Sequence, residues 1–243
     1  YGPQTVGGAV NLLTRSIPKT STYNTELSIG AFNTLKTHAY GGGYGERGWG
    51  VLAEVSHLQS DGFKELASGA NTGFYRSEAM VKLAKDQWQF KFGYATERSE
   101  ETYLGLSTSD FESTPLLRYP ASQEGLMKWH RSQAEARWNK NISDNWDVQV
   151  VGYYHHLTRA WRKFNRFAGP VNVHNLLMQD PSGGEGAVYL SILRGQTDSL
   201  SPEELLKIGT NDRQFHSGGI QGMSVWETNS ESFSNRLEVG VRV

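Results

Sequence analysis

Over residues 87–97 (QWQFKFGYATE) apolar and polar residues alternate one for one. Trp88, Phe90, Phe92 and Tyr94 fall on one side, and Gln89, Lys91, Gly93, Ala95 and Glu97 on the other. Only an extended strand keeps such a pattern on two faces, because its side chains repeat every second residue. Residues 232–243 do the same, with Phe233, Leu237, Val239, Val241 and Val243 opposed to Ser234, Arg236, Glu238 and Arg242. The alternation predicts about eight strands, at roughly 23–32, 35–44, 49–59, 74–85, 88–98, 131–142, 146–160 and 232–243.

A soluble antiparallel sheet alternates in the same way. The connections separate the two cases. One set is short: residues 45–48, 85–87 and 142–145. The other set is mostly long, with extended segments after Gln59, Arg98 and Ala160. Short turns on one edge and long loops on the other are the habit of outer-membrane β-barrels. Trp49, Trp88 and Trp146 each open a strand after a short turn, and Trp138 ends one. All four therefore belong at one level, where indole suits a membrane interface. Tyr75, Tyr94 and Tyr154 are candidates for a second girdle. The other face collects Glu26, Glu54, Arg76, Glu78, Lys82, Lys91, Glu97, Arg131, Glu135, Arg137, Arg236, Glu238 and Arg242, a mixed-sign set that suits a hydrated lumen and not a sandwich core.

Composition agrees. Only 37% of the 243 residues are hydrophobic and mean hydropathy is −0.54, while 12% are aromatic and 27 are glycine. A barrel needs only a thin apolar band. A net charge of −1 gives nucleic acid nothing to bind. Without cysteine there are no disulfides, zinc–thiolate sites or thiol nucleophiles. No run approaches the roughly 18 apolar residues of a transmembrane helix. The opening YGPQTVGG lacks the basic start and apolar run of a signal peptide, and the chain reads as a fragment beginning mid-motif. Ser201-Pro202-Glu203-Glu204 predicts a short helix running through Lys207 to a stop at Gly209.

The first 15 residues, YGPQTVGGAVNLLTR, resemble the end of the plug domain in TonB-dependent outer-membrane transporters, through Gly7, Gly8, Val10, Asn11, Thr14 and Arg15. The YGPQ form with Ile17-Pro18 resembles the ferric-citrate receptor branch, as do TYLGLSTSDF at 102–111, Arg118-Tyr119-Pro120-Ala121-Ser122 and Asn211-Asp212-Arg213-Gln214-Phe215. Ser60-Asp61-Gly62-Phe63 resembles a strand-to-loop exit of the wider superfamily. The resemblance implies an all-β chain: the end of a plug over 1–18, then the first part of a barrel of about 22 strands over 19–243. Extracellular loops are expected at about 60–73, 99–130 and 161–231. It implies a Gram-negative outer membrane, contact with lipid and lipopolysaccharide, and uptake of a ferric chelate driven by TonB through a segment that this piece lacks. Neither enzymatic chemistry nor a resident cofactor or metal is expected.

Ferric citrate, a compact anion, calls for converging cations and hydrogen-bond donors, and arginine can give a carboxylate two bonds at once. The candidates are Gln4, at the plug apex that the resemblance implies, and Arg194 and Arg213, with Arg118, Arg159 and Arg162 behind them. Each arginine could instead be a solvated loop charge, or pair with Asp198, Asp212 or a lipid phosphate; Gln4 could merely cap its turn. His155 and His156 are adjacent on a strand and point to opposite faces, so they cannot share one ion. No Gly-x-Ser-x-Gly elbow occurs, and Gly41-Gly42-Gly43 lacks the residues of a phosphate loop. The rivals are a transporter for another siderophore or nutrient, a non-transporting surface barrel such as an adhesin or phage receptor, and, more distantly, an enzyme barrel.

Overall fold

The computed structural model describes residues 13–69 and 73–243. Nine strands form one antiparallel sheet: β1 (Thr22–Gly30), β2 (Thr34–Tyr44), β3 (Gly50–Ser60), β5 (Phe74–Lys85), β6 (Trp88–Glu100), β8 (Leu126–Ser143), β9 (Trp146–Phe167), β10 (Leu206–Ser230) and β11 (Phe233–Arg242). Each pairs with its neighbour in chain order, as an up-and-down wall requires. Two short strands, β4 (Glu65–Leu66) and β7 (Leu117–Arg118), form a separate parallel pair that joins the first long loop to the second. Helix α1 (Thr108–Ser113) lies in the loop between β6 and β8; α2 (Val173–Gln179) and α3 (Gly184–Leu193) lie between β9 and β10.

Two expectations need correction. The segment 161–231 is not one loop, because β9 continues to Phe167 and Leu206–Ser230 is a 25-residue strand. The helix expected from Pro202 through Lys207 is a single 3₁₀ turn, Pro202–Glu204. Its capping box forms as the residues demand, with Glu204 accepting from the backbone N–H of Ser201 at 3.2 Å. From Leu206 onward, pairing with β9 takes over.

Residues 13–18 define the inner face of the wall. Ile17 is buried against Leu52 and Ala84. Lys82 Nζ donates to the carbonyls of Thr14 (3.3 Å) and Arg15 (2.5 Å), and the Arg15 guanidinium lies 3.7 Å from the centre of the Tyr40 ring. The ladder carries this face from strand to strand, so every charged residue assigned to the lumen from the sequence shares it. The opposite, outer face carries Phe90, Phe92, Tyr94, Val150, Tyr154, Leu237, Val239 and Val241. At its short-turn end Trp88 pairs with Trp138, and Trp146 stacks on Trp226 at 5.8 Å.

The loops at the far end have a core of their own. Tyr119, Ala121, Phe167, Leu176, Tyr189, Leu190, Ile192 and Leu193 are all buried there. Loops commonly lack such a core; these two long loops share one and form a compact body beside the sheet rim.

Candidate ligand-binding wall

Strand pairing places Arg159 of β9 and Arg213 of β10 directly opposite each other on the inner face, with Trp129 of β8 on the other side of Arg159. Like charges at opposed positions of an antiparallel pair destabilise it. Several other cations on this face are neutralised: Lys91 and Arg137 both bond Glu135, at 2.7 and 3.1 Å, and Arg76 bonds Glu78 at 2.5 Å. Among the described residues Arg159 and Arg213 have no ion pair. Arg159 is held by ring faces instead, lying 5.9 Å from the Trp161 centroid and 5.8 Å from Phe215. Its Nε and the Trp161 Nε1 are buried without a hydrogen-bond partner.

The pattern continues toward the rim. Lys163 Nζ stands 4.8 Å from the Trp161 ring centre and 5.3 Å from that of Tyr103, which itself packs on Trp161 at 4.9 Å. Arg76 covers Trp129 at 5.4 Å. The result is a wall of cations interleaved with aromatic faces, with three unanswered N–H donors, those of Arg159 Nε, Trp161 Nε1 and Arg76 Nε. It can receive an anion by charge-assisted hydrogen bonds and a flat ligand by stacking.

The other sequence candidates sit elsewhere. Arg118 is 2% exposed and donates to the carbonyls of Glu101 (2.9 Å), Ser122 (2.6 Å) and Gly125 (3.3 Å). Burial lowers the pKa of its guanidinium, with Glu100 and Glu101 opposing the shift. Arg194 clasps the two long loops together: it bonds Asp110 at 2.7 Å, Asp180 at 3.4 Å and Ser107 Oγ at 3.2 Å. Tyr119 donates its hydroxyl to Asp110, and its burial, reinforced by that bond, raises the phenol pKa. Arg162 lies on the outer parity of β9 and binds Glu124, at 2.9 Å to both its carboxylate and its backbone oxygen. Gln4 lies outside the described residues. Of the five candidates among the described residues, the fold brings only Arg159 and Arg213 together. Tyr103, Trp129, Trp161 and Lys163 were missed, although Arg159, Trp161 and Lys163 follow each other at the two-residue spacing of one strand face.

No family model matches the sequence, and no curated protein does. Solved structures do match its fold. The ferric citrate transporter FecA in its unliganded form aligns over 100% of this chain with a TM-score of 0.66 at 17% identity. The ferric-catecholate import receptor Fiu of E. coli K12, in its open form, aligns over 94% at 0.63 and 9% identity. The siderophore receptor PiuA of Acinetobacter baumannii aligns over 94% at 0.58 and 10% identity. This chain spans 31%, 34% and 30% of those chains respectively. What it shares with them is a fold: the antiparallel wall of a receptor β-barrel, about a third of one in length.

Proposed function

We propose that this chain is part of an outer-membrane receptor that binds a ferric chelate, ferric citrate first among them, and imports it with TonB-derived energy. The observation that carries this reading is the opposed pair Arg159 and Arg213, left without counter-charge on the inner face. An isolated sheet gains nothing from that arrangement, whereas a polycarboxylate bridging the two guanidinium groups removes their repulsion and satisfies their donors. The fold likeness to the receptors named above supports the transport reading. The interleaved rings Trp129, Trp161 and Tyr103 favour a second reading, an aromatic chelate stacked against the same cations.

The test is a titration of the full-length receptor with ferric citrate, followed by tryptophan fluorescence, with iron-free citrate as control. Arg159→Gln and Arg213→Gln should each weaken binding by roughly tenfold or more. Because each also relieves a like-charge contact, melting temperature should hold or rise while affinity falls. Saturable binding of a ferric catecholate with no response to ferric citrate would move the assignment to the aromatic reading. No binding of either chelate would remove the iron-uptake proposal.

A further inference from the structure

The loop body carries a groove of about 470 Å³ between the segment 103–111 and helix α2, a size in the small-molecule range. Its floor, Leu104, Leu106 and Leu177, packs on the loop core, so the groove is built into the fold. Its rims are Phe111 and Met178, 60% and 69% exposed. Such residues are unremarkable singly, but here they line one apolar trough that the core does not need for closure. The groove does not stand alone. Tyr103 lines its end, packs on Trp161 and lies under Lys163. Trp161 in turn lies beside Arg159. An apolar trough thus opens onto a cationic, donor-rich wall through one shared tyrosine.

That sequence of surfaces complements an anion carrying a hydrocarbon tail. We propose that the groove takes the hydrocarbon arm of an acylated ferric chelate whose iron-bearing anionic head lies on Arg159 and Arg213. The inference rests on the reading of the wall as a chelate site and names the class of chelate. Arg159 and Lys163 are four residues apart, about 13 Å along an extended strand, so a short arm on a head at Arg159 falls short of the groove. Affinity should therefore depend on arm length, and not simply on the presence of an alkyl group.

The experiment uses the full-length receptor in lipid nanodiscs, because detergent tails would compete for the groove. The probes are ferric citrate and the ferric complexes of citrate monoamides bearing a butyl or a dodecyl chain; partition into empty nanodiscs is subtracted. The dodecyl complex should bind roughly tenfold or more tighter than ferric citrate, whereas the butyl complex should bind no tighter than ferric citrate. In a Phe111→Ser, Met178→Ser receptor, altered only at exposed rim positions, the dodecyl and butyl complexes should bind alike. Equal affinity for all three probes in the unaltered receptor overturns the inference and leaves the chelate site standing. So does a dodecyl advantage that survives the double substitution, or competition by free dodecanoate as strong as that of the acylated chelate. Failure of every ferric probe to bind overturns the chelate site and this inference together.

Discussion

At the scale of single residues, five candidate arginines looked alike in the sequence, and their neighbours sort them. Arg118 illustrates what a buried arginine does when its acceptors are carbonyls: it ties residues 101, 122 and 125 to one guanidinium. Removing it takes from the Glu101 carbonyl its donor, at a cost of about 1–3 kcal/mol, while the carbonyls of Ser122 and Gly125 keep the backbone N–H groups of Gly125 and Glu101. Arg118→Met should therefore speed hydrogen exchange across residues 101–125 by an amount corresponding to roughly 1–3 kcal/mol of local stability. Arg118→Lys should not rescue it, because an ammonium lacks the planar fork. An exchange pattern unchanged in both variants would show that the Glu101 carbonyl finds another donor. None of this was legible in the sequence, where Arg118 is one cation between Leu117 and Tyr119. The pairing of Arg159 with Arg213 was equally hidden, since it depends on the register between β9 and a strand that the alternation does not reveal.

At the scale of elements, strands with a clean two-residue period were legible to within a few residues, as β5, β6 and β11 show. The alternation fails at β10. Gly218 and Gly222 occupy outer-face positions, and Asn211-Asp212 and Ser217-Gly218-Gly219 read as turns. What makes it a strand is the long ladder offered by β9, a tertiary effect that overrides local propensity. The loop body is another element-scale product, because the Arg194 clasp joins groups 84 residues apart in sequence. The Ser109 hydroxyl, followed by the Ser109 backbone N–H at 2.7 Å, the Ser107 hydroxyl and the Arg194 charge, holds the Asp180 carboxyl below the ordinary 3.8. A depressed carboxyl contributes stability that is complete above its unfolded pKa and disappears as pH falls through the lower folded one. The clasp should therefore hold at neutral pH and at pH 5, and loosen only below about 4. Arg194→Ala should raise exchange in α1 and α2 together at neutral pH while β8 and β9 stay protected. Exchange confined to one of the two helices would show that the loops are not joined through this residue.

At the scale of the whole wall, the question is whether the face opposite Ile17 meets lipid. The girdle logic extends beyond the sequence reading: Trp226 joins Trp146 at the short-turn end, although its strand was not anticipated. Between that end and the tyrosines the outer face is apolar, and two neighbouring residues of β10 can test it. Gly222 faces outward between Val150 and Val241, and a side chain added there would meet nothing within 4 Å. Met223 faces inward between Gln149 and Gly240. Arginine at Gly222 places a charge in the band without steric penalty, and in a bilayer that costs about 2–4 kcal/mol near the midplane. Arginine at Met223 enters a face already rich in charge and should cost little. In lipid vesicles the full-length receptor should therefore unfold at clearly lower denaturant with Gly222→Arg and at nearly unchanged denaturant with Met223→Arg. In detergent the gap between them should narrow, because micelles deform around a charge more easily than a bilayer does. Equal costs for both variants in vesicles would mean that the two faces see the same solvent, which an outer-membrane wall cannot accommodate.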